Sequence, residues 1–187
     1  MRNGLPFGAT PGKPDAKALQ LTGTPPSQPQ TLFQVKTEMT LRELQLHICK
    51  MLNADEVLLQ GRCRAFAEDA LDARLTPEPA LHAGSGGVAL VVRTPGARLA
   101  GAIPAASGIP VAATLAVDCL EVPAANRAAA PFVSAMGAAE RVAHRLHDGR
   151  TVTFDRFESA VIDDKEARFY VFTAYFQAHL THTQPQG

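Results

Sequence analysis

The sequence predicts an α+β protein built as two small domains. Three observations carry that reading. Short runs alternate apolar and polar residues, as half-buried strands do. Two longer stretches, around 41–52 and 131–146, repeat apolar residues at helical spacing. A stretch rich in Ala, Gly and Pro at 95–110 separates the two sets.

Taken in order, residues 1–16 carry Gly4, Pro6, Gly8, Pro11, Gly12 and Pro14 with no hydrophobic period, which predicts a disordered tail. Residues 17–22 place Leu19 and Leu21 on one face of a strand, and 31–36 place Phe33 and Val35 on one face of a return strand. Pro25, Pro26 and Pro29 make the segment between them a loop, so a wide hairpin is expected. Thr40 followed by Glu43 forms the capping-box signature, and Leu41, Leu44, Ile48, Met51 and Leu52 then make one apolar stripe that Asn53 ends. Residues 57–59 and 63–66 read as short strands. Gly84, Gly86 and Gly87 stop any helix before a closing strand at 88–93.

Beyond the expected linker at 95–110, residues 113–122 read as a strand with Leu115, Val117 and Cys119 on one face. Pro131 suits a first helical position, and Phe132, Met136, Ala139, Ala143 and Leu146 follow at helical spacing until His147, Asp148 and Gly149. Residues 151–157 alternate, and after a turn at 163–166 the run 168–180 is aromatic and β-prone. Residues 181–187 read as a flexible polar tail. The second domain is thus expected over 111–180.

A hairpin, a crossing helix and returning strands, in that order over 17–94, form a β-grasp. Val35, Thr40, Leu41, Leu44 and Ile48 keep the register V-x4-T-[IL]-x2-[VL]-x3-I, and this half resembles ubiquitin and its relatives, with Leu71-Asp72 continuing the likeness. The resemblance implies that the first strand and the closing strand pair in parallel at the sheet centre. The order strand, helix, strand, strand over 111–180 is compatible with a second, divergent β-grasp. Together with the last residue, Gly187, the chain resembles the tandem ubiquitin-like modifiers, of the interferon-induced and bacterial antiphage-defence kinds.

That resemblance implies a cytoplasmic protein modifier that is not itself an enzyme and needs no cofactor. Its partners would be protein: an activating enzyme, a conjugating enzyme, a deconjugating protease and a target. Gly187 would be the conjugation terminus, its carboxyl joined to a target amine in an isopeptide bond. A glycine suits an extended tail in a narrow channel because it has no Cβ to clash. The alternative is a non-conjugated ubiquitin-like binding or adaptor module in a larger assembly.

Other chemistry is sparse. Lys+Arg and Asp+Glu are both 18, so the zero net charge argues against a globally basic nucleic-acid binder. Arg62, Arg64, Arg74 and Arg93 are the candidate basic cluster, but Phe169, Tyr170, Phe172, Tyr175 and Phe176 fall in an alternating run that reads as core rather than as base-stacking groups. His144/His147 and His179/His182 form two H-x-x-H pairs, which read as a helix end and a polar tail rather than a zinc site. Cys63 between Arg62 and Arg64 is the one thiol placed for a lowered pKa, against a plain reading as a strand cysteine. His47 and Cys49, two apart on a helix, point in different directions. Three scattered cysteines suggest a reducing compartment. No secretory leader or membrane span is expected. Gly84, Ser85, Gly86 and Gly87 precede a strand rather than a helix, so they read as a turn and not a phosphate cradle.

Overall fold

Thr40 begins the first helix, α1 (Leu41–Leu52), through a reciprocal cap. Its Oγ1 accepts from the Glu43 amide at 3.2 Å, and the Glu43 carboxylate accepts from the Thr40 amide at 2.7 Å. The computed structural model describes residues 39–68, 77–100, 109–163 and 167–182. The chain divides at Thr31/Leu32 into two units, and every described residue belongs to the second. The hairpin expected at 17–36 and the tail expected at 1–16 lie outside the described residues; of the tail expected at 181–187, Thr181 and His182 instead belong to the last strand and the rest lies outside them.

The elements after α1 are α2 (Glu56–Gln60), β1 (Cys63–Ala67), α3 (Pro77–Gly84), β2 (Val88–Val92), β3 (Gly96–Leu99), β4 (Ile109–Glu121), α4 (Pro123–Ala128), α5 (Ala135–Leu146), β5 (Val152–Asp163) and β6 (Arg168–His182). The strands form one six-stranded mixed sheet of order β1-β2-β4-β6-β5, with β3 also paired to β4. Only β1 and β2 run parallel. The α+β class is therefore correct.

The sheet has two differently covered faces. On the first, α1 lays Leu44, Ile48 and Leu52, and α5 lays Ala138, Val142 and Leu146, against Leu90, Val117 and Phe176 in one core. On the second, α3 covers Ala89, Val91 and Leu120 at the β1–β2 end with Ala80 and Ala83. The buried apolar residues of β4 and α5 are Ala, Val, Leu and Cys, so apolar burial there comes from many modest contributions rather than from large rings.

Several expectations need correction. The closing strand at 88–93 does not have a free edge for residues 17–22. β2 is filled by β1 on one side and by β4 on the other, so the described strands do not form the β-grasp pairing expected over 17–94. The linker expected at 95–110 contains β3 and the start of β4, which pair from Gly96↔Thr114 to Leu99↔Val111. One sheet and one core thus serve both expected domains, and 111–180 does not build a sheet of its own. Glycine and proline here punctuate a hairpin rather than separate domains.

Two local readings also change. Residues 57–59 are helical, because the Asp55 carboxylate accepts from the amides of Val57 and Leu58 and so caps α2. Only Leu58 points inward, while Val57 and Leu59 are exposed. α5 starts at Ala135 rather than Pro131, because Ser134 caps it by accepting from the Gly137 amide. Phe132 precedes the helix, and Met136 lies outside its buried stripe. α3 and α4, which carry no strong period, were not expected at all.

Asp55 also ties the helical layer together. Arg141 of α5 donates to its carboxylate from Nε and Nη2, the latter at 2.8 Å, and Arg145 Nε lies 3.6 Å away. Burial pushes the Asp55 carboxyl up. The Arg141 hydrogen bonds, the Leu58 amide and the charges of Arg141 and Arg145 outweigh it, so the net direction is down. A carboxylate depressed in the folded state stabilises the fold above its ordinary value of about 3.9. That stabilisation disappears as pH falls through the lowered value. Asp55→Asn keeps a capping acceptor but removes the charge. Its urea midpoint is expected to fall below wild type at neutral pH, with the gap closing as the solution is acidified. A gap that is constant with pH would contradict this role.

Candidate functional site

Away from α3, the second face of the sheet is polar, and strand register sets its order. One row across the sheet runs Val91, Asp118, Thr173, Glu158; in the next, Ala116, Tyr175 and Arg156 lie opposite one another. Arg93, just beyond β2, grips Asp118 with both ends of its fork, Nε to Oδ2 at 2.6 Å and Nη2 to Oδ1 at 2.9 Å. Thr173 donates to the same carboxylate at 2.6 Å. Hydrogen bonding to Asp118 holds the Arg93 guanidinium above its ordinary value.

Arg156 continues the pattern toward the sheet edge. Its guanidinium sits 4.3 Å from the centre of the Tyr175 ring and donates to Glu158 at 2.8 Å. The Arg156 bond, then the Tyr175 bond, hold the Glu158 carboxyl below its usual range. Burial, and then the bond to Glu158, raise the Tyr175 hydroxyl. A cleft of about 320 Å³ opens where this network meets the apolar end, floored by Val91, Leu120 and Val171 and flanked by Pro79 and Ile162. Each charge along it has a protein partner, so the surface offers shape and fixed polarity rather than an unpaired reactive group.

The two sheet edges differ. On β1, the Asn53 side chain acts like a strand residue. Its Nδ2 donates to the Ala65 carbonyl at 2.9 Å and its Oδ1 accepts from the Ala65 amide at 2.8 Å. That closes the middle of the β1 edge. On β5, no strand of the described residues pairs with the outer edge. Every residue from Asp155 to Asp163 is exposed, including Phe157, Val161 and Ile162. A bulge between Phe154 and Arg156 marks where this exposed stretch begins.

The residues singled out from sequence are not brought together. Gly187 lies outside the described residues, as do Arg74 and the side chain of His182. Cys63 is buried rather than reactive. Burial first, then the nearby Asp55 charge, push its thiol up to about 12, in keeping with the plain reading as a strand cysteine and not with a thiol activated by Arg62 and Arg64. Burial likewise raises Cys49 to about 11 and Cys119 well above the ordinary thiol value. His147, at the end of α5, accepts from the Phe154 amide through Nδ1. His179 lies on the second face with Thr173 and Tyr175, so the sheet separates it from His147, and no metal-binding group of His, Cys, Asp or Glu occurs among the described residues. Of the candidate basic cluster, Arg62 donates to the Ser85 carbonyl, Arg64 sits over Phe66 and Arg93 holds Asp118. Gly86 has a φ of +84° in the turn before β2, as a turn glycine should. No helix of the described residues is long and apolar enough to cross a membrane.

The Asp118 network and the β5 edge were missed from sequence. The signal for the first was a charged residue inside the apolar alternation of 113–122. The second could not be read without strand order.

No family model and no curated protein matches the chain. Among solved structures, a chain in the virion of a native gene transfer agent particle is similar, with a TM-score of 0.42 and 17% identity, covering 74% of this chain and 94% of that one.

Asn53→Ala tests the closed edge. Losing both bonds to Ala65 is expected to cost about 1 kcal/mol of stability. Hydrogen exchange at the Ala65 amide should accelerate more than at Leu90, in the neighbouring strand. Equal acceleration at both would mean that Asn53 acts only through global stability.

Proposed function

We propose that the chain is a non-catalytic binding module that joins a larger protein assembly through the β5 side of its sheet. The exposure of β5 from Asp155 to Asp163 carries this reading. A long edge strand with free amides, free carbonyls and apolar side chains is a template for a partner, and proteins usually blunt such edges. This chain blunts its β1 edge with Asn53 and leaves β5 open among the described residues. Phe157, Val161 and Ile162, at 44%, 46% and 40% exposure, present apolar groups on both faces of that strand. The self-paired charges of the second face suit recognition by fixed polarity.

Conjugation through Gly187 rests on the family resemblance alone, since β2 has no edge left for the strand pairing that the resemblance implies. The adaptor reading needs neither that pairing nor the terminal residue.

The test is site-specific photo-crosslinking in the source cell. A crosslinking residue in place of Val161 is expected to yield a discrete protein adduct, and one in place of the exposed Lys50 is not. Adding Ile162→Lys should lower the adduct yield by about tenfold, since a charge forced into an apolar contact is costly. A folded protein that gives no adduct from position 161 would sink the reading.

A further inference from the structure

We infer that the partner on the β5 edge is a second copy of this chain, paired β5 to β5 in antiparallel fashion about a two-fold axis through Phe157. The inference rests on the reading of β5 as the docking edge and names its occupant.

Charge placement along β5 selects the partner. Residues directly opposite in an antiparallel pair share a face, so a two-fold axis normal to the sheet passes through a residue. Sliding the axis along β5 changes which side chains meet. With the axis on Phe157, Arg156 faces Glu158 of the second copy, twice by symmetry. With the axis on Arg156, two guanidinium groups meet, and on Glu158, two carboxylates meet. Unlike charges directly opposite stabilise a strand pair and like charges destabilise it. The Phe157 register brings the unlike charges together.

These charges otherwise argue against pairing. Charged side chains and a bulge on an edge are common devices against promiscuous association. Here they reject a generic strand and admit a self-complementary one, which is specificity by exclusion. Within one strand Arg156 already donates to Glu158 at 2.8 Å, so the two-fold completes a ring of four alternating charges on the second face. On the first face the same axis sets Phe157 against its own copy. That ring is 44% exposed and lies 4.5 Å from Phe154, centre to centre, so the pair would extend an aromatic row across the interface. The bulge at Asp155 ends the regular ladder at Arg156 on each copy. Asn53 closes the opposite sheet edge, which favours a closed pair over head-to-tail growth.

The experiment uses the full chain in light-scattering chromatography and sedimentation. Wild type is expected to be a concentration-dependent dimer. Arg156→Glu and Glu158→Arg, each alone, should weaken dimerisation by about tenfold or more, because each puts like charges across the axis. Mixed in equal amounts, the two variants should form heterodimers near wild-type affinity, since one copy then carries both acids and the other both bases. The double variant Arg156→Glu/Glu158→Arg should also recover. The mixing arm separates a cross-axis contact from a folding defect, because a damaged fold gains nothing from mixing. Three results would overturn the inference: a wild-type monomer at the highest soluble concentration, a mixture no tighter than either variant alone, or amide protection at Ser159 and Val161 that persists in dilute monomer. The last would assign the edge to a segment of the same chain. A monomer whose position 161 still crosslinks to a different protein would overturn the second copy while leaving the docking reading in place.

Discussion

β4 is the strand on which the other elements depend. Its whole length pairs with β6, while its other edge is shared, β3 taking residues 111–114 and β2 taking 117–120. It must bury side chains on both faces at once. Leu115, Val117 and Cys119 enter the core beneath α1 and α5, and Leu120 enters the smaller core beneath α3. A central strand with apolar groups on both faces can only be satisfied by layers on both sides. The helices therefore share one sheet, although their sequence positions suggest separate domains.

The same constraint explains why Asp118 is paired so thoroughly. It stands in the middle of β4, where water is limited, and a lone carboxylate there would be costly. Arg93 and Thr173 supply its partners from the two flanking strands. The second face consequently grades from apolar beneath α3 to a lattice of fixed charges near β5. Gln45 does comparable work on the other side. It is fully buried, and its Nε2 donates to the carbonyls of Val92 and Glu68, fastening α1 to the end of β2. Asp118 and Gln45 are both held by groups distant in sequence.

How much was legible follows from the range of the interactions. α1 was readable to the residue because its cap, stripe and stop lie within fourteen positions from Thr40 to Asn53. The strands at 63–66, 88–93 and 151–157 were recognised for the same local reason. Residues 57–59 were misread because three apolar positions fit a strand or a helical turn equally, and the cap at Asp55 decides between them. The segment at 95–110 was misread because Gly and Pro report a change of direction and not what lies beyond it. Cys63 is the strand cysteine of the plain reading, because arginines that neighbour it in sequence need not be neighbours of a thiol that the strand points inward.

The sequence alone determined the α+β class, the capped first helix and the alternation of most strands, because those depend on hydrogen bonds and periodicities spanning a few residues. Only the tertiary structure decided that one sheet unites β1 to β6, that β2 is paired on both sides and that, among the described residues, no strand pairs with the outer edge of β5. Strand partners are chosen by packing between segments far apart, and short apolar runs carry little that distinguishes one partner from another. The docking surface proposed on β5 follows from those pairings, which is why it had no motif to announce it.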